Sequence, residues 1–269
     1  MDKRATARVQ PMPRALWVTS FAPDMWRVSG QELVRSFRQH KVDGQLLVCT
    51  EGSIPGMVQG PTIVSRDISS YPFLTGWLAA NADYIPASLG GSRQEPLCGC
   101  PGGPFPADPK GHKPACLGCW WQKNHSRWFR KIAAMKMALD MVAAKEIVPP
   151  DVFVWVDSDC KFLRRIDPKR VGSWVGRADC FYFKHTRPVL EAGVVGYRAS
   201  KGGLKLLTNI IDRYVSGRYR QSPRWDDSAQ IQEAIAETKV AAVDLARSRA
   251  QFAAVIPYSP LSGFLSHDK

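Results

Sequence analysis

No apolar run in this chain approaches the roughly 18 residues that a membrane-spanning helix needs, so no membrane span is expected. The N-terminal Met1-Asp2-Lys3-Arg4 is basic but has no apolar stretch behind it, which argues against a secretion signal. The chain therefore reads as soluble and cytoplasmic. Seven cysteines, an odd number in a chain with no export signal, argue against a disulfide framework and for metal binding or isolated buried thiols. There is no internal repeat and no long low-complexity tract. Acidic residues are in deficit: 24 Asp and Glu stand against 37 Lys and Arg, a net charge of +13. Such an excess favours a polyanionic partner, whether nucleic acid, an anionic membrane surface or an acidic glycan. A basic, solvated surface with no special partner is the plain alternative.

What is present suffices for one substantial core, since the chain has 269 residues and 45% hydrophobic content. Residues 1–14 are basic and Pro-punctuated and read as an arm. Ala15 to Phe21 and Gln45 to Thr50 read as buried strands, and the period of Leu33, Val34 and Phe37 predicts a helix over 29–40 between them. Strand, helix, strand over so short a span is a βαβ unit and implies a parallel sheet. Residues 88–121 are Gly- and Pro-rich, lack periodicity and are bracketed by cysteines, as an inserted loop would be. Trp128 to Ile147 reads as a helix with Ile132, Met135, Leu139 and Val142 on one face, ended by Pro149-Pro150. Helices are also expected over 204–215 and 228–237, and a last strand over 240–245. The expectation is a single α/β domain over 1–269.

The apolar run Val152 to Val156 ends in Asp157-Ser158-Asp159. A strand ending in Asp-x-Asp puts two carboxylates at the sheet's carboxyl edge, where open α/β sheets bind ligands. Two anions held so close call for a counter-cation, most naturally a hard divalent metal such as Mg²⁺ or Mn²⁺. A solvated turn after a buried strand is the alternative for this tripeptide alone.

Further segments join it in order. Val18 to Phe21, Leu47 to Glu51, an Arg/Lys-bearing helix and the Asp-x-Asp strand are followed by Glu191 to Tyr197, by Trp225-Asp226-Asp227-Ser228 and by Ser266-His267-Asp268-Lys269. In this order they resemble the nucleotide-sugar glycosyltransferases of the GT-A fold, whose mostly parallel, Rossmann-like central sheet is flanked by helices. The resemblance implies a UDP-sugar or similar donor and Mn²⁺ or Mg²⁺, with Asp159 as direct metal ligand. Asp157 would bind metal or ribose, His267 would be a third metal ligand, and Lys269 a diphosphate contact. Lys131 or Arg127, placed near a helix start that favours phosphate, would meet the diphosphate. Thr19 and Glu51 would face the nucleotide. Glu191 to Tyr197 resembles the loop after the acceptor-side strand. Asp226 or Asp227 would serve as general base in an inverting enzyme or grip donor hydroxyls in a retaining one, where Glu191 would lie near the anomeric carbon. One of the two aspartates is expected to cap a helix instead.

Cys98-x-Cys100 and Cys116-x-x-Cys119 give four thiols around the insertion, with His112 as a substitute, and suggest a structural Zn²⁺. Cys49, Cys160 and Cys180 lie in or beside apolar runs and read as buried. The resemblance does not require the zinc cluster. From Lys161 to Arg224, fifteen Lys and Arg stand against four acids, interleaved with Trp174, Phe181, Tyr182, Phe183, Tyr197, Tyr219 and Trp225. Cations with stacking rings are ingredients of a nucleic-acid surface. They suggest a hydroxymethylated pyrimidine in DNA as acceptor, of the kind viruses make, which would place the protein in a host cytoplasm. A glycan, lipid or protein acceptor remains open, as does a non-catalytic, zinc-bearing nucleic-acid-binding module.

Overall fold

A computed structural model describes residues 14–54, 56–57, 59–82, 117–184, 189–246, 256 and 259–267, with the side chains of 117–124 outside that description. The N-terminal arm, most of the insertion, and Cys98, Cys100, His112, Cys116 and Lys269 lie outside the described residues, as does the side chain of Cys119. The expectation of a zinc loop therefore falls outside them as well.

The chain begins with β1 (Ala15–Phe21), a short helix α1 (Pro23–Met25) running into a π-turn over Trp26–Gly30, α2 (Gln31–Gln39) and β2 (Gln45–Thr50). Next come β3 (Ile63–Asp67), α3 (Pro72–Ala80), α4 (Leu117–Ala143), β4 (Val152–Val156) and β5 (Cys160–Phe162). The second half holds α5 (Pro168–Val175), β6 (Cys180–Phe183), β7 (Glu191–Arg198), α6 (Lys201–Val215), α7 (Asp227–Thr238), β8 (Ala242–Asp244) and β9 (Leu265–His267). Seven strands form one sheet in the order β3-β2-β1-β4-β7-β6-β8, while β5 and β9 make a separate two-stranded sheet. Within the large sheet β7 runs against both neighbours and every other pairing is parallel. The chain is thus an α/β protein with a mostly parallel sheet flanked by helices. Among the described residues no helix is long and apolar enough to cross a membrane.

Strands β1, β2 and β4 match their sequence limits because each is built on an apolar run, as expected of strands covered on both faces. Their period of two sorts side chains to the two faces. Phe153 and Trp155 join Leu16, Val18 and Leu47 in the core beneath α3, α4, α6 and α7. Val152, Val154 and Val156 join Trp17, Leu46 and Val48 in the core beneath α2 and α5.

Helix α4 differs from expectation. It begins at Leu117 rather than Trp128, so the end of the 88–121 insertion is helical. From Cys119 to Val148 the sequence has neither Gly nor Pro, and nothing interrupts the helix. It stops near Lys145, whose φ of 61° is left-handed and closes the last turn. Its core face is Phe129, Ile132, Ala133, Met135, Ala138 and Met141, whereas Leu139 and Val142 are only half-buried. The segment 191–197, expected as a loop, is strand β7. Two glycines let this strand lie close to large rings: a Cβ at Gly196 would stand 2.0 Å from Phe181, and one at Gly193 would stand 2.5 Å from His267.

The small β5–β9 sheet is held by apolar packing. Phe162 is fully buried and meets Trp17 and Phe37 edge-on at 5.2 and 5.4 Å. The Phe162 N–H donates to the buried Ser36 hydroxyl at 3.1 Å, tying β5 to α2. Leu261 and Leu265 fill the same core from the C-terminal segment. Phe162→Ala is therefore expected to cost about 3–5 kcal/mol by removing a buried aromatic ring. Denaturant unfolding measures this; a loss under about 1 kcal/mol would show that Phe162 does not anchor this sheet.

Candidate metal and donor site

The carboxyl ends of the parallel strands form one rim, and four elements meet there. β4 ends at Val156 and delivers Asp157-Ser158-Asp159. The antiparallel β7 enters at the same edge, with the Asp157 N–H donating to Gly193 O at 2.8 Å. α7 begins there with Asp227, and β9 ends there with His267, whose register partner on β5 is Cys160.

At the centre stands Lys131. Its Nζ lies 3.1 Å from Asp157 Oδ1, pairs closely with Asp227 Oδ2 and donates to Ala192 O at 2.8 Å. It also rides over the Trp155 ring at 4.8 Å, and the Trp155 indole N–H donates to Asp157 Oδ1 at 2.6 Å. Burial works against the lysine's charge, but the two carboxylates outweigh it and hold its pKa above the ordinary value. For Asp157 burial pushes upward, yet Lys131 and the indole N–H prevail and the carboxyl titrates below its usual range. Asp227 goes the other way. Burial lifts its pKa, Lys131 offsets only part of the rise, and the Asp157 charge adds to it.

The second half of the site faces outward from this cluster. His267 Nε2 lies 3.0 Å from Asp159 Oδ1 and 3.9 Å from Asp157 Oδ2. Both His267 Nε2 and Asp159 Oδ1 are buried atoms without a hydrogen-bond partner, despite their separation. A nitrogen and an oxygen so placed, in contact yet misaligned for a hydrogen bond, suit two ligands aimed at a shared ion. Asp157, Asp159 and Asp227 carry three negative charges against the one of Lys131. The carboxylates thus outnumber the lysine, an excess that a divalent cation would cancel. These donors fit Mn²⁺ or Mg²⁺ in their oxygen ligands, and His267 adds a preference for Mn²⁺.

Several expected residues take other places. Arg127 and Lys131 lie in the middle of the 27-residue α4, so no helix N-terminus assists them. Arg127 is exposed, Arg130 pairs with Glu51 at 2.6 Å, and Lys131 is committed to two carboxylates. Thr19 is fully buried with an unpartnered Oγ1 and presents nothing at the surface. Asp226 occupies the N-cap position of α7 but makes no capping bond through its side chain; it pairs with Arg224 Nη2 at 2.5 Å. Asp227 is the member of that pair that reaches the cluster, and its Oδ1 accepts from the Ser228 N–H at 2.8 Å. Glu191 opens β7, two residues ahead of Gly193. Of the seven rings expected at a nucleic-acid surface, Trp174, Phe181, Phe183, Tyr197 and Tyr219 are core, and only Tyr182 and Trp225 are half-exposed.

Sequence reasoning missed that Lys131 bridges two acids, that Cys160 lies beside Asp159 and His267 and that Gly193 makes room for the His267 ring. Ion pairs between distant segments leave no local signature. The glycine could have been found by asking why a small residue interrupts the apolar β7.

Lys131→Met strands the buried Asp227 and the half-buried Asp157 and is expected to destabilise the protein by about 3 kcal/mol, read from denaturant midpoints. Gly193→Ala is the finer probe. Its methyl displaces the His267 ring, so Mn²⁺ affinity measured by calorimetry should fall at least about tenfold, or 1.4 kcal/mol, with the fold intact by circular dichroism; unchanged affinity would exclude His267 from the ion. No protein-family model matches this chain and no curated protein is significantly similar to it.

Proposed function

We propose that the protein is a metal-dependent glycosyltransferase of the GT-A type, moving a sugar from a nucleoside diphosphate donor to a hydroxyl acceptor. The observation that carries this reading is the convergence of His267, from the far C-terminal strand, on the Asp-x-Asp pair at the carboxyl edge of a parallel sheet. That edge is where open α/β sheets bind nucleotides. A divalent cation held by Asp159 and His267 would neutralise diphosphate oxygens and stabilise the charge gathering on the departing phosphate.

The chain's own residues supply the rest. Trp155 and Lys131 take Asp157 Oδ1 and leave Oδ2 on the His267 side, so this carboxylate is oriented before any ligand arrives. Asp227 has one oxygen on Lys131 and the other on the Ser228 N–H. A carboxylate engaged at both oxygens is poorly placed to take an acceptor proton. Gripping donor-sugar hydroxyls is the role its geometry favours. Glu51 follows β2, two strands from β4, and pairs there with Arg130 of α4.

The acceptor proposed is a hydroxymethylated pyrimidine in DNA, and its support is the basic charge between Lys161 and Arg224. Because most rings there are core, stacking contributes little and phosphate contacts must carry the affinity.

Incubation with Mn²⁺ and a panel of nucleotide sugars, with and without hydroxymethylated DNA, tests both levels by mass spectrometry of digested nucleosides. Sugar is expected on the modified base. Asp159→Ala is expected to lower turnover by at least about 10²-fold, as loss of a charge-stabilising group does. Donor turnover that persists undiminished in Asp159→Ala would reject the enzyme assignment. If about four phosphates are neutralised, DNA affinity falls on the order of 10²-fold between 50 and 200 mM salt; a flat response would leave a non-nucleic-acid acceptor.

A further inference from the structure

Cys160 stands where an ion-facing thiol would. In the antiparallel β5–β9 pair Cys160 and His267 are directly opposite, so their side chains leave the sheet on the same face. The ligand atoms of Asp159, Cys160 and His267 all lie within 4.8 Å of one another. The His267 side chain is 2% exposed, and its Nε2 points into this space without a hydrogen-bond partner. The backbone adds rigidity, because the Cys160 N–H donates to Asp157 O at 3.0 Å and closes the turn between the two aspartates.

We propose that Cys160 is a protein ligand of the cation at this site, beside Asp159 and His267, and that the site consequently prefers a thiophilic divalent ion such as Zn²⁺ or Co²⁺ over Mg²⁺. This deepens the reading above and rests on its cation site. The chemistry is that of ligand softness. Mg²⁺ demands oxygen and keeps its waters, whereas thiolate and imidazole together suit Zn²⁺ and its neighbours. Three protein ligands with a fourth position left for an outside oxygen is the arrangement of catalytic zinc sites. On binding, the S–H bond breaks, the proton passes to solvent and a metal–sulfur bond forms in its place. Zinc holds nitrogen at about 2.0–2.1 Å and sulfur at about 2.3 Å, so drawing the three atoms onto one ion asks for a contraction on the order of 1 Å. Cys160 is the first residue of β5 and His267 the last of β9, so such a contraction is confined to the ends of two short strands.

Cadmium NMR of the full chain tests this, since the shift of bound Cd²⁺ reports how many sulfurs hold it. The wild type is expected to show a resonance in the one-sulfur range, separate from any four-sulfur signal of Cys98, Cys100, Cys116 and Cys119. That resonance should disappear in His267→Ala and move to the oxygen–nitrogen range in Cys160→Ser. A His267-dependent resonance already in the oxygen–nitrogen range in the wild type overturns the thiolate and leaves the cation site standing. Absence of any His267-dependent resonance overturns both. The wild-type shift by itself counts the sulfurs, so the thiolate result survives a Cys160→Ser variant that fails to fold.

Discussion

The site depends on a buried lysine shared by two aspartates. Lys131 draws together the middle of α4, the end of β4, the start of α7 and, through Ala192 O, the edge of β7. An ion pair in such surroundings is costly to build, because each charge gives up water before it gains its partner. What it supplies is geometry. With Trp155 beneath it and three oxygens around it, the ammonium has few alternative positions, and the carboxylates it holds inherit that restriction. A similar device fixes α7 at its other end, where the buried Arg213 meets Gln230, Glu233 and Glu237. Asp227 is therefore pinned from both directions along its helix.

Apolar packing does for His267 what charge does for Asp157. The histidine belongs to a three-residue strand that could not hold itself, since a two-stranded ribbon is marginal without a hydrophobic face. Phe162, Leu261 and Leu265 provide that face against Trp17 and Phe37, and Gly193 leaves the imidazole ring room against β7. The two halves of the site thus rest on opposite sides of the sheet. Lys131 and Trp155 stand over the core beneath α4 and α6, while Cys160 and Phe162 belong to the core beneath α2 and α5. Asp157 to Asp159, at the end of the strand between them, face both.

How far the sequence could be read follows from the range of the forces involved. β1, β2 and β4 were legible to the residue, since a buried strand shows its apolar run directly. β5 and β9 were not, because three residues carry no period. α3 hides for the opposite reason: Phe73, Leu74, Trp77 and Leu78 give it apolar residues without a clear polar face, and only Pro72 at its first turn marks the start. At the site, Asp157, Asp159 and His267 were identified by type and order, and the fold brings them together. Lys131 was identified by position but not by role, since a cation near two acids and a cation near a diphosphate look alike in one dimension. Cys160 was read as a buried thiol, and it is one: burial pushes its pKa well above the ordinary range. Only the β5–β9 register reveals that it is opposite a histidine.

The same long-range pairing changes what the net charge means. Part of the basic excess between Lys161 and Arg224 is spent inside the fold, with Lys161 on Glu32, Arg165 on Asp43, Arg213 and Arg218 on the acids of α7, and Arg224 on Asp226. The exposed ones, such as Arg165 on Asp43, are screened and worth at most about 1 kcal/mol each. They still hold the side chains to one place, so these cations are less free to follow a phosphate backbone than a count of residues implies. The rings counted with them are mostly core. Attraction for a polyanion therefore has to come from the cations left outside such pairs, and from the long-range field of a chain with a net charge of +13. A field of that kind concentrates any polyanion without selecting a sequence, whereas the rim around Asp157, Asp159 and His267 is locally negative and opposes it.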